Sequence, residues 1–504
     1  MTRKLVSLLL VVTMLLSMAI FTTASAEDTY ELNCYWVGTG DSDRKEAVEA
    51  ALSAYLTEKI GCTIKFHVYG WNMDTALPAL ASGEKIDVFF TATWLQFMNC
   101  VQAGYFQPLN DLLQSDGQGI LETLNPLFLQ GSAVNGVNYA IPTNKELAVP
   151  DGWIYNKAAV EEVGLTDEII ATLKTCEDLE PYIAKYKELH PEAYPYVMES
   201  GRWCDQPWFG TDLLGVGGVL VPQKNNFEAD GSFDSTFYNI WESDATKTHC
   251  ELMYKWMQAG YIDPGANLTT YQFRDVIPTG AWLFSAQPLK GNNIKAAEII
   301  QSFGNDEQKA ALAAGNNPFG EITASPKLAS EFSGSMLAIP TSSENPQKAM
   351  QFINLMHTDE KLINMMLYGI EGEDWHLDGD FVVLDNATWQ GAHGGAWTMG
   401  NTQLQHVTVG EDPQKNALLI SYADDAILLP SAGFAFDTSV VESELAAIKN
   451  VYDKYQLSLM CGNVDPNGAD GIDAYVADLK TAGIDTVVAA MQEQYDAWAA
   501  EKAK

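Results

Sequence analysis

The residues best suited to ligand chemistry are a polar tetrad and a set of tryptophans outside the long apolar runs. The tetrad Thr143-Asn144-Lys145-Glu146 lies between a short apolar strand ending at Pro142 and an aromatic strand at Gly152–Tyr155. Asn144 and Lys145 can donate hydrogen bonds, and Glu146 can accept them or orient Lys145. The block has two readings, a solvated turn with an adjacent Lys–Glu pair or a crossing between two lobes with polar groups facing a cleft. Trp36, Trp71, Trp94, Trp153, Trp203, Trp282, Trp375 and Trp397 stand at strand ends or in polar loops. Any of them can be core or cleft. Trp94 is favoured for a cleft because Thr91-Ala92-Thr93 makes its loop polar, whereas Arg202 beside Trp203 can be a surface charge. Trp397 and Asn401 sit in a glycine-loosened tract, Gly394–Asn401, where glycine permits close backbone approach. The candidate ligand-binding set is Trp36, Trp71, Asn72, Thr93, Trp94, Asn144, Lys145, Glu146, Trp153, Arg202, Trp203, Trp282, Trp375, Trp397 and Asn401. Flat aromatics mixed with hydrogen-bonding groups suit a neutral carbohydrate, whose C–H faces pack on indole while its hydroxyls bond to side chains.

Signatures of catalysis are missing from the chain. There is no GxSxG, Walker-type loop, GxGxxG or HExxH, and the seven histidines show no ligand spacing. Paired carboxylates for glycoside hydrolysis depend on geometry, so a secreted glycosidase stays open as the alternative from another class. Seven cysteines (34, 62, 100, 176, 204, 250, 461) form no CxxC and no zinc-like cluster. Mostly free, buried thiols are expected, with no metal and no cofactor. The stretch from Asn463 to Gly468 is loosely like a calcium loop, but its twelfth position is Ala474 where a bidentate Glu is required.

These residues need elements to position them. Leu32–Val37, Cys62–Tyr69 and Ile86–Thr91 are strand-like. Between them, Arg44–Ile60 carries apolar residues at helical spacing, and Asp74–Ala81 forms a short helix. That βαβαβ order implies a parallel sheet, with ligands beyond the carboxyl ends of its strands. Trp36–Asp41, Gly70–Asn72 and Thr91–Trp94 are the loops so placed. A second unit starts near Gly152, with a strand at Gly280–Phe284 returning to the cleft. Met336–Ile339 followed by Pro340 and a polar turn echoes the first crossing and is expected to be the return. The tail reads as helices over Val440–Tyr455, Ile472–Leu479 and Thr486–Trp498.

The N-terminus has a basic start at Arg3 and Lys4, an apolar run Leu5–Phe21 and the small-residue site Ala24-Ser25-Ala26. This predicts a signal peptide over 1–26, cleaved so that the mature chain begins at Glu27 outside the cytoplasm. Nothing after Phe21 is long and apolar enough to span a bilayer. The chain carries 66 Asp+Glu against 29 Lys+Arg, a formal charge of −37. That field repels nucleic acid and anionic membrane, and excludes them as partners.

The block YAIPTNKELAVPDGWIYNK (139–157) resembles the hinge crossing of extracellular solute-binding proteins that serve carbohydrate ABC importers. The likeness extends to ASGEKIDVFFTATW (81–94), AGYFQPLNDLL (103–113) and SENPQKAMQFINLMHTDEKLINMMLYGIEG (343–372). WTMGNTQL (397–404), GFAFDTSVVESELAAIKNVYDKY (433–455) and NVDPNGADGIDAYVADLKTAGID (463–485) resemble the subgroup with an extended C-terminal module. The core is similar to that of maltose-binding protein. The resemblance implies an α/β fold of two lobes closing on a ligand at a hinge and delivery to permease subunits; the mature protein is expected to be a monomer. It assigns 27–141 plus 336–376 to a discontinuous first lobe, and 152–335 plus 377–504 to the second lobe and C-terminal module. Many relatives are lipoproteins with a cysteine at the cleavage point; here the first cysteine is Cys34, so no lipid tether is expected. A peptide- or amino-acid-binding relative of the same fold is the further alternative.

Overall fold

The computed structural model describes residues 29–502 apart from 41, 199–211, 217–218, 224–232, 269–270, 272, 326 and 330–331. Arg202, Trp203, Cys204 and the leader segment lie outside the described residues.

A five-stranded sheet forms the first lobe. The strands Tyr30–Val37, Cys62–Tyr69 and Val88–Thr91 run parallel, with Tyr30–Val37 in the middle of the three. Their apolar runs are buried because helices cover the sheet, as parallel crossovers require. The helix Lys45–Ile60 turns Val48, Leu52 and Leu56 onto it. Gly61 then ends that helix in the left-handed conformation (φ 66°), its N–H bonded back to Leu56 and Thr57 carbonyls.

Next to Val88–Thr91 lies Met336–Ala338, antiparallel to it and also to Ala140–Pro142 on its other side. This strand enters the sheet from the cleft end, so Met336 stands opposite both Thr91 and Pro142. The return crossing therefore precedes Met336. Pro340, expected at the crossing, is at the opposite end of the strand, bridged to Phe106.

The second sheet has the order Phe319–Thr323, Asp151–Asn156, Phe284–Pro288, Tyr196–Val197. Phe284–Pro288 starts where the strand expected over Gly280–Phe284 was to end. Trp282 and Leu283 instead lie buried ahead of it. The chain leaves the first sheet at Pro142, enters the second at Asp151, and returns between Thr323 and Met336. The two crossings brace each other: Thr143 N donates to Ser335 O (3.0 Å), their hydroxyls lie 3.0 Å apart, and Ala148 bridges Ala329.

The C-terminal helices Glu442–Met460, Ile472–Thr481 and Ile484–Lys502 enclose a core with Ile448, Tyr475, Met491 and Tyr495. Phe237, Ile240, Trp241 and Cys250 from the second-lobe part of the chain complete it. Part of 377–432, placed with the second lobe, packs with the first: Val382, Trp389, Met399 and Ala432 belong to the first lobe's core, while Gln301 donates to Thr408 and Lys415 pairs with Glu298 of the second-lobe part. The apolar side chains of this tract fill the space beside Trp36 and Phe66. Among the described residues, six cysteines are buried, of which Cys34, Cys62, Cys100, Cys250 and Cys461 are free thiols, and no helix is long and apolar enough to cross a membrane.

Candidate functional site

A cleft of about 2100 Å³ opens where the crossings, both lobes and the C-terminal helices meet. Its first wall is aromatic. Trp71 follows the strand Cys62–Tyr69, Trp94 sits in the turn Thr93–Leu95 after Val88–Thr91, and Trp397 lies in the turn Ala396–Thr398. The strands thus deliver two of the three rings at their carboxyl ends. Trp71 stacks on Trp397 with centroids 6.3 Å apart and planes at 20°, and Trp94 leans on Trp397 at 6.1 Å. Phe90 braces both Trp94 and Trp397 from beneath. Trp71 remains 53% exposed and Trp94 48%, so their faces are open to a ligand. Trp94 Nε1 donates to Gly334 O at 2.9 Å, which fixes its ring against the return crossing. Thr93 lines the cleft beside it.

The facing wall is a chain of alternating charges. Lys145 Nζ lies 3.0 Å from Glu146 Oε1, Lys290 bridges Glu146 (3.6 Å) and Glu298 (3.0 Å), and Lys415 reaches Glu298 (3.3 Å) and Glu411. The tetrad is thus buried and ion-paired. Burial pushes the Glu146 carboxyl up, but Lys145 and Lys290 outweigh it and hold it below its ordinary value. Burial acts likewise on Glu298, and Lys290, Lys415 and Lys295 bring it down to about 2. Lys290, Glu298, Lys415 and Glu411 were missed by the sequence reasoning. Only the strand–Pro–loop pattern at Gln287–Gly291, akin to the hinge block, pointed their way.

Several expected site residues are elsewhere. Trp36, Trp153, Trp282 and Trp375 are at most 3% exposed and are core. Each buries its ring among apolar neighbours and satisfies its indole N–H internally: on Thr398 Oγ1, Tyr196 OH, Ile277 O and Gly369 O respectively. Trp36 still bears on the site, because Thr398 in turn donates to Gly395 O next to Trp397. Asn144 and Asn401 are buried and bond to each other, Nδ2 to Oδ1 at 3.0 Å. Neither lines the cleft; together they pin the first crossing to the 400 loop. Gly400 (φ 44°) makes its close approach to the Met356 backbone rather than to a ligand, and its carbonyl accepts from Asn144 N. Asn72 is exposed outside the cleft, its side chain accepting from Asp74 N. The structure therefore brings Trp71, Thr93, Trp94, Lys145, Glu146 and Trp397 to one cavity.

Two α/β lobes joined by paired crossings beside a large aromatic-walled cleft define a hinged ligand-binding architecture. The chain belongs to the bacterial extracellular solute-binding protein family, whose model matches residues 40–361. Residues 430–500 match a domain of unknown function, DUF3502. The chain is 25% identical over 492 residues to a carbohydrate ABC transporter substrate-binding protein of Streptococcus pneumoniae serotype 4, covering 94% of this chain and 92% of that one. It superposes on the crystal structure of the N-glycan transport solute binding protein (NgtS) of Streptococcus pneumoniae with a TM-score of 0.77 at 23% identity, covering 94% of this chain and 100% of that one. For the same protein in complex with Man5GlcNAc the TM-score is 0.70 at 22% identity, over 94% and 99% of the two chains; a complex with Man1GlcNAc also matches, with a TM-score of 0.72 at 22% identity over 93% and 99%. These structural matches establish the two-lobed fold.

Proposed function

We propose that this protein is the extracytoplasmic carbohydrate-binding component of an ABC importer, holding a sugar or oligosaccharide between its lobes and handing it to membrane permease subunits. The observation that carries this reading is the trio Trp71, Trp94 and Trp397, with Trp71 and Trp94 exposed and Trp397 half-buried in contact with both, at a cavity also lined by Lys145 and Glu146. Indole faces take sugar C–H faces, and the charged side chains at the hinge take hydroxyls. The named carbohydrate relative supports the same ligand class.

The ion-pair chain speaks against the other readings. A general acid needs a carboxyl held protonated near neutral pH, yet Glu298 is driven down to about 2 and Glu146 is lowered by its lysines. A peptide carboxylate at the hinge would have to displace a glutamate from Lys145, Lys290 or Lys415. The pairing of Glu146 and Glu298 favours a binder over a glycosidase that would use either as its acid. The protein acts as a monomer, released by cleavage after Ala26 without a lipid tether.

The test is a thermal-shift screen of the purified protein over carbohydrates, amino acids and short peptides. A ligand that binds only the folded state raises the melting temperature by mass action. A rise with a sugar, which is recovered intact, is the expected result; a rise only with peptides or amino acids, or hydrolysis of the sugar, overturns the proposal.

A further inference from the structure

We infer that the C-terminal module forms an outer sugar subsite of the same cleft, so that the protein takes an oligosaccharide of several units. This rests on the carbohydrate reading above and extends it to the region whose matching family model is a domain of unknown function.

The helix Glu442–Met460 has two distinct faces. Ile448, Tyr455 and Leu459 are buried in the C-terminal core. Glu442, Leu445, Ala446 and Lys449, at i, i+3, i+4 and i+7, share another face and line the cleft. Three of these four are exposed, so the face is open rather than packed. Across from it stands the first-lobe helix Phe97–Gln102, whose Met98, Asn99 and Gln102 line the same cavity. The two sides meet where Gln102 Nε2 donates to Asp437 Oδ1 at 3.4 Å.

The chemistry repeats that of the inner site. Glu442 accepts hydrogen bonds, Lys449 donates them, Asn99 and Gln102 do both, and Met98 with Leu445 offers apolar surface. Among the described residues, the ion pair of Lys449 is to Asp453 of its own helix, an exposed pair that holds it weakly. Size points the same way. At about 2100 Å³ the cavity is roughly twice the upper end of the 300–1,000 Å³ typical of drug-sized ligands. A disaccharide seated on Trp71, Trp94 and Trp397 leaves the module's face untouched, whereas a longer glycan extends onto it.

The experiment titrates Man1GlcNAc and Man5GlcNAc into the full-length mature protein and into a Glu442→Ala/Lys449→Ala variant. Both positions are exposed, so the variant's melting temperature should match the wild type. The wild type should bind Man5GlcNAc more tightly than Man1GlcNAc. The variant should lose about tenfold in affinity for Man5GlcNAc and keep its affinity for Man1GlcNAc within about twofold. Equal affinities of the wild type for the two glycans, or a variant that retains both or loses both alike, overturn the outer subsite alone. Binding of neither glycan by the wild type overturns the outer subsite as drawn for these glycans, while the carbohydrate reading stands or falls by the sugar screen above.

Discussion

Replacing Trp94 by alanine separates a ligand-binding tryptophan from a structural one, and Trp36 is the internal control. A tryptophan brings roughly 150–250 Å² of surface to a contact. Trp94 is 48% exposed, so about half of that area remains for a ligand to cover. At about 25 cal/mol per Å² the covered face is worth roughly 2–3 kcal/mol, and ordering costs on binding bring the expected loss to about 1–3 kcal/mol. Affinity should therefore fall by about 5- to 150-fold. The folded state loses the contacts to Phe90 and Trp397 and one hydrogen bond to Gly334 O. That bond is worth about 0.5–1.5 kcal/mol, so the melting temperature should fall only slightly. Trp36→Ala empties a site that is 1% exposed and should cost about 3–5 kcal/mol of stability. Calorimetric titration with a sugar found in the screen, together with melting curves, decides the matter. If Trp94→Ala destabilises as much as Trp36→Ala while affinity is unchanged, the stacking argument is wrong.

Glu298, with its carboxyl held near 2, adds stability that is present above its ordinary value of 4.5 and is lost as pH falls toward 2. Glu321 is pushed up to about 7, chiefly by burial, so it costs stability as pH rises from 4.5 through 7. Urea midpoints across pH 3–8 should therefore show Glu298→Gln flattening the acid limb and Glu321→Gln raising the midpoint at the alkaline end; the same trend for both variants would refute the assignment. Expressing residues 27–334 should yield no cooperative, ligand-binding protein, because removing Met336–Ala338 takes out the strand between Val88–Thr91 and Ala140–Pro142. Mass spectrometry of native material should find Glu27 at the N-terminus, and a lipid-modified cysteine there would contradict the leader reading.

How much of this was legible in sequence depended on how local the determining physics is. The strand Cys62–Tyr69 and the helix before it were readable because alternation and helical spacing are short-range patterns, and both are found where those patterns lie. The strand end at Pro142 was readable within the block itself, but local pattern left the tetrad open between a solvated turn and a crossing, and only the resemblance to solute-binding proteins chose the crossing. Which tryptophans face the cleft was not readable. Trp36 and Trp94 both stand at the ends of parallel strands, yet the Trp36 N–H is claimed by Thr398, 362 residues away, while that of Trp94 is held at the cleft rim by Gly334. No window around either residue contains that difference. The charged wall was hidden for the same reason: Glu146, Lys290, Glu298 and Lys415 come from separate stretches and become one chain only when the crossing and the 411–421 tract are folded together. That chain also bears on how the site works. Its interior members each have two partners, so removal of Lys290 would leave Glu146 to Lys145 and Glu298 to Lys415. The charged wall is thus cross-linked redundantly, whereas on the aromatic side Trp71 and Trp94 are left exposed.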